Sequence, residues 1–338
     1  MPAIRSPRPR AAVVLDPALK HDVFGATTWA ELTEAVDVVA DCADGHALSV
    51  HPRRGEVEVL VSSWGMPRLT EDVLAELPAL RVVAHAAGSI RKLVSDAVWS
   101  RGIVVVSAAE ANNEPVAEYV YAQTVLALKN VHRRAQRIKA ELGLPPLDDT
   151  PGIYGQTIGL VSFGSTGRKV AERLHRISAD VVAWDPHVSA ETFARSNVAM
   201  ATDLKDLFAR STVLSVHTPL IPGQTERLIT GDLLRLLPQG ATLINTARGA
   251  IIDEDALVDV LRERPDMYAV LDVTTHEPLP ASSPLYPLAN VMLTGHVAGT
   301  VSSERRAMGR LVVEELRRVS RGAAPLHAVS ANAALLRA

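Results

Sequence analysis

Short, β-branched apolar runs such as AAVVL and IVVV recur along the chain with helical stretches between them, and this alternation limits the fold more than any other feature. Such runs lack the polar alternation of a strand with one wet face, so they read as strands buried on both sides in a parallel sheet covered by helices. The expected class is α/β. Candidate strands in the first third are Ala11 to Leu15, Val57 to Ser62, Leu80 to Ala84 and Ile103 to Val106. A second series comprises Thr157 to Phe163, Asp180 to Trp184, Thr212 to His217, Ala241 to Asn245, Tyr268 to Val273 and Val291 to Leu293.

With 338 residues, 47% hydrophobic and 22% charged, the chain is too long for one ordinary core. Two domains are expected. A helix starting near Pro115 and running to Leu142 is long enough to bridge them, and its basic stretch from Lys129 to Lys139 reads as a solvated outer face. A Pro/Gly-rich loop, LPPLDDTPGIYG, precedes the second strand series, and the late helical pattern VSSERRAMGRLVVEELRRVSRG returns to the first domain. This gives a discontinuous domain of residues 1–115 plus 303–338 and a second domain of residues 116–302. No solenoid repeat or low-complexity tract interrupts them.

The 35 basic and 38 acidic side chains leave a net charge of −3, which supplies no field for gathering nucleic acid or an anionic membrane surface. Small-molecule chemistry is the remaining expectation. Cys42 is the only cysteine, so no intramolecular disulfide forms, and no Cys/His cluster has metal-site spacing. The N-terminal MPAIRSPRPR lacks a secretory apolar core, and no run approaches the roughly 18 apolar residues of a membrane span. A cytoplasmic location is expected.

The segment TIGLVSFGSTGRKVAERL reads as strand, tight turn and amphipathic helix, the order a dinucleotide site needs because the helix N-terminus presents free N–H groups to a pyrophosphate. Its turn reads S-x-G-x-x-G. Gly164 would let the backbone approach phosphates and Gly167 would let the helix pack on the strand, whereas Ser162 stands where the fingerprint usually has its first glycine. Taken alone, such a turn is also simply a turn. Eighteen residues after Gly167, at the end of VVAWD, Asp185 is placed to accept ribose hydroxyls and to repel a 2′-phosphate, favouring NAD over NADP. It also reads as a residue opening an Asp-Pro turn.

Three later segments each set a polar side chain at or beyond the C-terminal end of a buried strand, where open α/β sheets bind ligands. ATLINTARGAIIDEDAL offers Arg248, whose planar fork can clamp a carboxylate and polarise a carbonyl. YAVLDVTTHEPLP offers Asp272 and then Glu277, and NVMLTGHVAG offers His296. A histidine oriented by a carboxylate suits protonation of a developing alkoxide. Singly, Arg248 also reads as a strand-end ion pair, Glu277 as a loop carboxylate and His296 as a satisfied buried histidine.

In their order, NTARGAIIDEDAL, LDVTTHEPLP and LTGHVAG, with VAEYV heading the linking helix, resemble the D-isomer-specific 2-hydroxyacid dehydrogenases over nearly the whole chain. That family includes glyoxylate/hydroxypyruvate reductases, D-lactate dehydrogenases and phosphoglycerate dehydrogenases. The resemblance implies two Rossmann-like/flavodoxin-like parallel-sheet domains with a cleft between them, an NAD cofactor and a homodimer. It implies that Arg248 binds the substrate, His296 is the acid/base and Glu277 tunes it. The implied cofactor residues are Ser162, Gly164, Ser165, Thr166, Gly167, Asp185, His217, Thr218, Pro219, Thr246, Ala247, Asp272, His296 and Gly299. Asp272 would hold the nicotinamide carboxamide. Ala87, Gly88 and Ser89, with Arg248 and His296, would receive the substrate, and His85 stands close to that loop.

Departures from the family pattern are Ser162, Gly295 in place of a common proline before the histidine, and Arg91 near a usual aspartate. None removes a reacting group. A formate-type dehydrogenase, which typically carries glutamine before the proline, is disfavoured by Glu277. An NAD-sensing corepressor-like protein or scaffold of the same fold stays open, and no motif encodes which 2-hydroxy or 2-oxo acid is used.

Overall fold

The computed structural model describes residues 8–147 and 150–335. Residues 1–7 of the basic N-terminal stretch, residues 148–149 of the Pro/Gly-rich loop and residues 336–338 lie outside the described residues. The chain divides into two compact units, residues 1–112 with 300–338 and residues 113–299. The junctions fall at 112 and 299, where the sequence reading places them at 115 and 302.

In the first unit, β1 (Arg10–Val14), β2 (Asp37–Cys42), β3 (Val59–Ser62), β4 (Val82–His85) and β5 (Val104–Ser107) form a parallel sheet in the order β2-β1-β3-β4-β5. The short β13 (Ala328–Val329) adds an antiparallel edge on β5. Valines at 59, 82 and 104 fall in register across the sheet, and β3 and β4 are buried at every position. Helix α1 (Pro17–Ala35) begins where the Asp16 carboxylate accepts the N–H groups of Ala18 and Leu19. Its Val23, Phe24 and Leu32 pack with Met308, Val312, Val313 and Leu316 of the late helix Arg306–Ser320. Apolar burial on that helix's inner stripe is what returns the C-terminal segment to this unit.

The second unit holds seven parallel strands: β6 (Thr157–Val161), β7 (Asp180–Trp184), β8 (Ala199–Met200), β9 (Val213–Val216), β10 (Thr242–Asn245), β11 (Tyr268–Leu271) and β12 (Val291–Leu293). Their order is β12-β11-β10-β9-β6-β7-β8, so the winding direction reverses between β6 and β9. Ligands of open α/β sheets bind beside such a reversal.

The strands not anticipated from sequence are β2, β8 and β13, and each lies at a sheet edge. β8 and β13 are only two residues long and β8 is exposed throughout, so neither leaves an apolar run, and in β2 the apolar Val38, Val39 and Ala40 are flanked by the exposed Asp37 and Asp41. The bridging helix also differs from expectation. It begins at Ala109, whose N–H is accepted by Ser107 Oγ at 3.2 Å, and Pro115 lies inside it. Helix α2 (Ala109–Leu128) stops before Asn130, which takes the left-handed conformation at φ 53°, and α3 (Val131–Glu141) follows. Asparagine tolerates that conformation better than most residues. The basic stretch is only partly a solvated face, because Arg133 donates to the carbonyls of Gly240 and Ala241 and Arg134 to those of Pro145 and Pro146. Among the described residues no helix is long and apolar enough to cross a membrane.

Candidate active site

The glycine turn follows β6 and leads into α4 (Ser165–Leu174). A Cβ at Gly167 would stand 2.7 Å from the carbonyl oxygen of Ser162, so only glycine lets the helix approach the strand this closely. Ser162 occupies the left-handed region at φ 74°, the conformation the usual glycine would adopt without strain. Its hydroxyl meets Thr218 Oγ1 at 2.9 Å, and Thr218 in turn donates to the carbonyl of Val161 at 3.3 Å. These two residues end β6 and follow β9, so the bond spans the point where the sheet reverses. The departure from the fingerprint is thus a substitution that keeps the glycine conformation and adds a cross-strand bond.

Asp185, just beyond β7, is brought to the same turn. Its two carboxylate oxygens accept the N–H of Phe163 at 2.8 Å and the N–H of His187 at 2.8 Å. The second of these bonds is the Asx turn that an Asp-Pro pair predicts, and the first ties β7 to the glycine turn.

Fit to a dinucleotide rests on three observations. Nothing in the protein stands where a Gly164 Cβ would project, so the chain itself does not demand glycine there, whereas a ligand approaching the helix end does. The N–H groups of Thr166 and Gly167 lie in the first turn of a ten-residue helix, where the chain supplies no intrahelical acceptors. Beyond the paired ends of β9 and β10, His217 Nε2 and Thr246 Oγ1 are buried and without a partner among the described residues, which calls for a polar ligand. Pro219 and Ala247 continue the same two strand ends. A dinucleotide fits this edge.

Past β10, Asn245 staples the turn that presents Arg248. Its side chain accepts the N–H of Ala247 at 3.1 Å and donates to the carbonyl of Arg248 at 3.1 Å. Next to it, a Cβ on Gly249 would fall 1.9 Å from the carbonyl carbon of Thr274, so the Arg248 turn lies directly on the loop that follows β11. In that loop Thr274 donates its N–H to Glu277 Oε1 at 3.3 Å, and the other carboxylate oxygen of Glu277 lies 2.8 Å from His296 Nδ1. Arg248, Glu277 and His296 therefore stand on loops from three adjacent strands, and Glu277 and His296 are directly paired. With side chains 49% and 42% exposed, that pair adds at most about 1 kcal/mol to stability.

Asp272, 2% exposed, lies behind the His296 loop. Its carboxylate accepts from Thr294 Oγ1 at 2.7 Å, Val297 N–H at 2.8 Å and Ala298 N–H at 3.0 Å, while its carbonyl takes the His296 N–H. The bonds Asp272 makes within the protein hold the histidine loop. Gly295 and His296 are both left-handed, at φ 70° and 66°. A proline at 295, locked near −65°, has no access to this backbone, so the glycine follows from the loop's conformation. Asn245 and Thr294, together with Tyr119, whose hydroxyl lies 3.0 Å from Thr294 Oγ1, brace these loops and are not singled out by the sequence. All three sit inside the motifs NTARG, LTGH and VAEYV, where their one signal is local polarity.

In the first unit, Ala87, Gly88 and Ser89 follow β4, and the N–H of Arg91 contacts Ser89 Oγ at 3.4 Å. Among the described residues no cluster of His, Cys, Asp or Glu is arranged to hold a metal ion. Gly299 closes the second unit.

The family described as D-isomer specific 2-hydroxyacid dehydrogenase, NAD binding domain, matches residues 121–298. The chain is 34% identical over 253 residues to an (S)-sulfolactate dehydrogenase of Chromohalobacter salexigens, covering 74% of this chain and 81% of that protein. It is 29% identical to a D-3-phosphoglycerate dehydrogenase of Methanocaldococcus jannaschii over 79% of this chain, and spans only 50% of that relative's length. Among solved structures it is similar to a D-isomer specific 2-hydroxyacid dehydrogenase from Xanthobacter autotrophicus in complex with NADPH and MES. That likeness has a TM-score of 0.72 and 25% identity, covering 96% of this chain and 99% of the other.

Two outcomes follow from this geometry. Ser162→Ala keeps the left-handed strain and loses the Thr218 bond, costing about 1 kcal/mol, whereas Ser162→Gly relieves the strain and stays within about 1 kcal/mol of the parent in urea unfolding. A glycine variant less stable than the alanine variant would refute this. Burial pushes both His85 and His217 down to about 4 from an ordinary value of 6.5. The unfolded chain then binds more protons between those values, so their stabilising contribution is full above about pH 6.5 and fades as pH falls toward 4. Unfolding free energy measured from pH 7.5 to 4.5 should drop, and His217→Gln should flatten the slope.

Proposed function

The chain belongs to the D-isomer specific 2-hydroxyacid dehydrogenases, and from that premise we propose that it transfers a hydride between NAD(H) and carbon 2 of a small 2-hydroxy or 2-oxo acid. The observation that carries the proposal is the 2.8 Å contact between His296 and Glu277, on loops beside the Arg248 turn. The second unit is the NAD-binding domain in this reading, and the first binds substrate.

The bound nicotinamide supplies or accepts the hydride. Arg248 pairs its guanidinium with the substrate carboxylate and carbonyl oxygen, drawing electron density from carbon 2. Glu277 accepts the proton on His296 Nδ1, which leaves Nε2 to deliver a proton to the substrate oxygen during reduction and to remove it during oxidation. Asp272 and Thr294 keep the histidine loop in its left-handed conformation, so the ring is oriented before substrate arrives. In the first unit, the Ala87–Ser89 loop offers backbone N–H groups to the substrate carboxylate.

Support for NAD is the Asp185 carboxylate at the glycine turn, which disfavours a 2′-phosphate. The NADPH-bound relative makes the opposite choice a fair test. The homodimer reading is supported by Leu142, Leu144, Leu147 and Tyr154, all exposed apolar side chains between α3 and β6 that a second copy would cover. A reducing, cytoplasmic setting agrees with the single buried thiol of Cys42.

A panel of glyoxylate, hydroxypyruvate and pyruvate, each with NADH and NADPH, tests the reading. At least one acid should be reduced, with kcat/KM for NADH at least about tenfold above NADPH, a gap of roughly 1.4 kcal/mol; Asp185→Asn should narrow it. No turnover with any acid would favour a dinucleotide-sensing scaffold. His296→Ala should lower kcat by about 100-fold or more, the scale of general acid catalysis, while NADH binding followed by fluorescence stays near the parent value. Unchanged kcat in that variant would remove His296 from the chemistry.

A further inference from the structure

The end of the first unit's sheet carries a buried polar cluster that the proposed chemistry does not use. Ser62, Ser63, His85 and Ser107 are between 0% and 4% exposed. They sit at the C-terminal ends of the adjacent strands β3, β4 and β5, in a sheet otherwise lined by valine and alanine. Burying four polar side chains is costly unless each is hydrogen-bonded, and all four spend their bonds on one short loop or on each other.

Ser63 Oγ donates to the carbonyl of Ala86 at 2.7 Å. Ser107 Oγ accepts the N–H of Ala109, which directs its proton to the carbonyls of Gly88 at 2.8 Å and Ala87 at 3.2 Å. His85 Nδ1 lies 3.0 Å from Ser62 Oγ, so those two side chains satisfy each other. The carbonyls of three consecutive residues, 86 to 88, are thereby drawn toward the strand ends.

A trans peptide is planar and its C=O and following N–H point in opposite directions. Pinning the carbonyls of Ala86, Ala87 and Gly88 inward therefore turns the N–H groups of Ala87, Gly88 and Ser89 outward. Among the described residues none of these three N–H groups has a partner. Successive outward N–H groups make a concavity suited to an anion.

We propose that Ser63 and Ser107 are positioning residues that build a carboxylate-binding nest from the N–H groups of Ala87, Gly88 and Ser89. This rests on the reading of that loop as the receiver of the substrate carboxylate. The side chains never touch substrate; they fix which way the peptide planes face.

The test uses the full chain with NADH, glyoxylate as substrate and oxalate as an unreactive dicarboxylate in thermal-shift titrations. Ser107→Ala and Ser63→Ala should each raise KM for glyoxylate and weaken oxalate binding by roughly tenfold, the scale of one lost charge-assisted bond. The kcat should move far less, and KM for NADH should stay at the parent value. Ser107→Thr, which keeps a hydroxyl at the same strand end, should restore most of the loss. Ser89→Pro removes one outward N–H and tests the underlying reading. If it raises KM while Ser107→Ala and Ser63→Ala only lower Tm, the positioning role is overturned and the loop assignment stands. If Ser89→Pro also leaves glyoxylate and oxalate unaffected, both are overturned.

Discussion

Parallel strands cannot be joined by tight hairpins, so each needs a long crossover and every strand of the second sheet opens at the same edge. That constraint is what the rest of the structure depends on. It gathers Ser162, Asp185, Thr218, Thr246, Arg248, Glu277 and His296, spread over more than a hundred residues of sequence, onto loops leaving one side of one sheet. The apolar interior of the strands fixes register and leaves their C-terminal ends as the place where polar side chains can stand.

Within that frame the loops are held by bonds that do not themselves react. Asp272 is buried and takes three donors from the segment around His296, and Asn245 closes the Arg248 turn from both sides. Two non-glycine residues at this edge, Ser162 and His296, lie in the left-handed region, where each costs about 1–3 kcal/mol. Both are over-determined by neighbours: Ser162 by Thr218 and by the carbonyl of Trp184, His296 by Asp272 and Glu277. Strain of this kind persists where surrounding bonds leave the chain no alternative, and here it coincides with the glycine turn and the histidine.

The central strands were legible because burial on both faces removes polar residues from them. β3, β4, β9 and β10 are buried at every position and read directly as apolar runs. Edge strands β2, β8 and β13 are harder to read because their apolar runs are short, three residues flanked by aspartates in β2 and two residues in β8 and β13. The start of α2 was misplaced at Pro115, a residue that marks a first turn by preference, whereas the Ser107 hydroxyl begins the helix at Ala109. Asn245 and Thr294 lie in quoted motifs, yet Asn245 works through the backbone of its own turn and Thr294 through the Asp272 carboxylate, contacts that spacing does not reveal.

The sequence by itself determined that this is an α/β chain with two sheets, and that an arginine, a glutamate and a histidine each follow a buried strand, because hydrophobic period and strand-end polarity are properties of neighbouring residues. Only the tertiary structure decided that Glu277 meets His296, that Ser162 adopts a glycine's backbone, and that Asp272 serves the histidine loop. Those facts depend on which strands become neighbours and on the direction each peptide plane faces, and both are settled by packing between segments far apart in the chain.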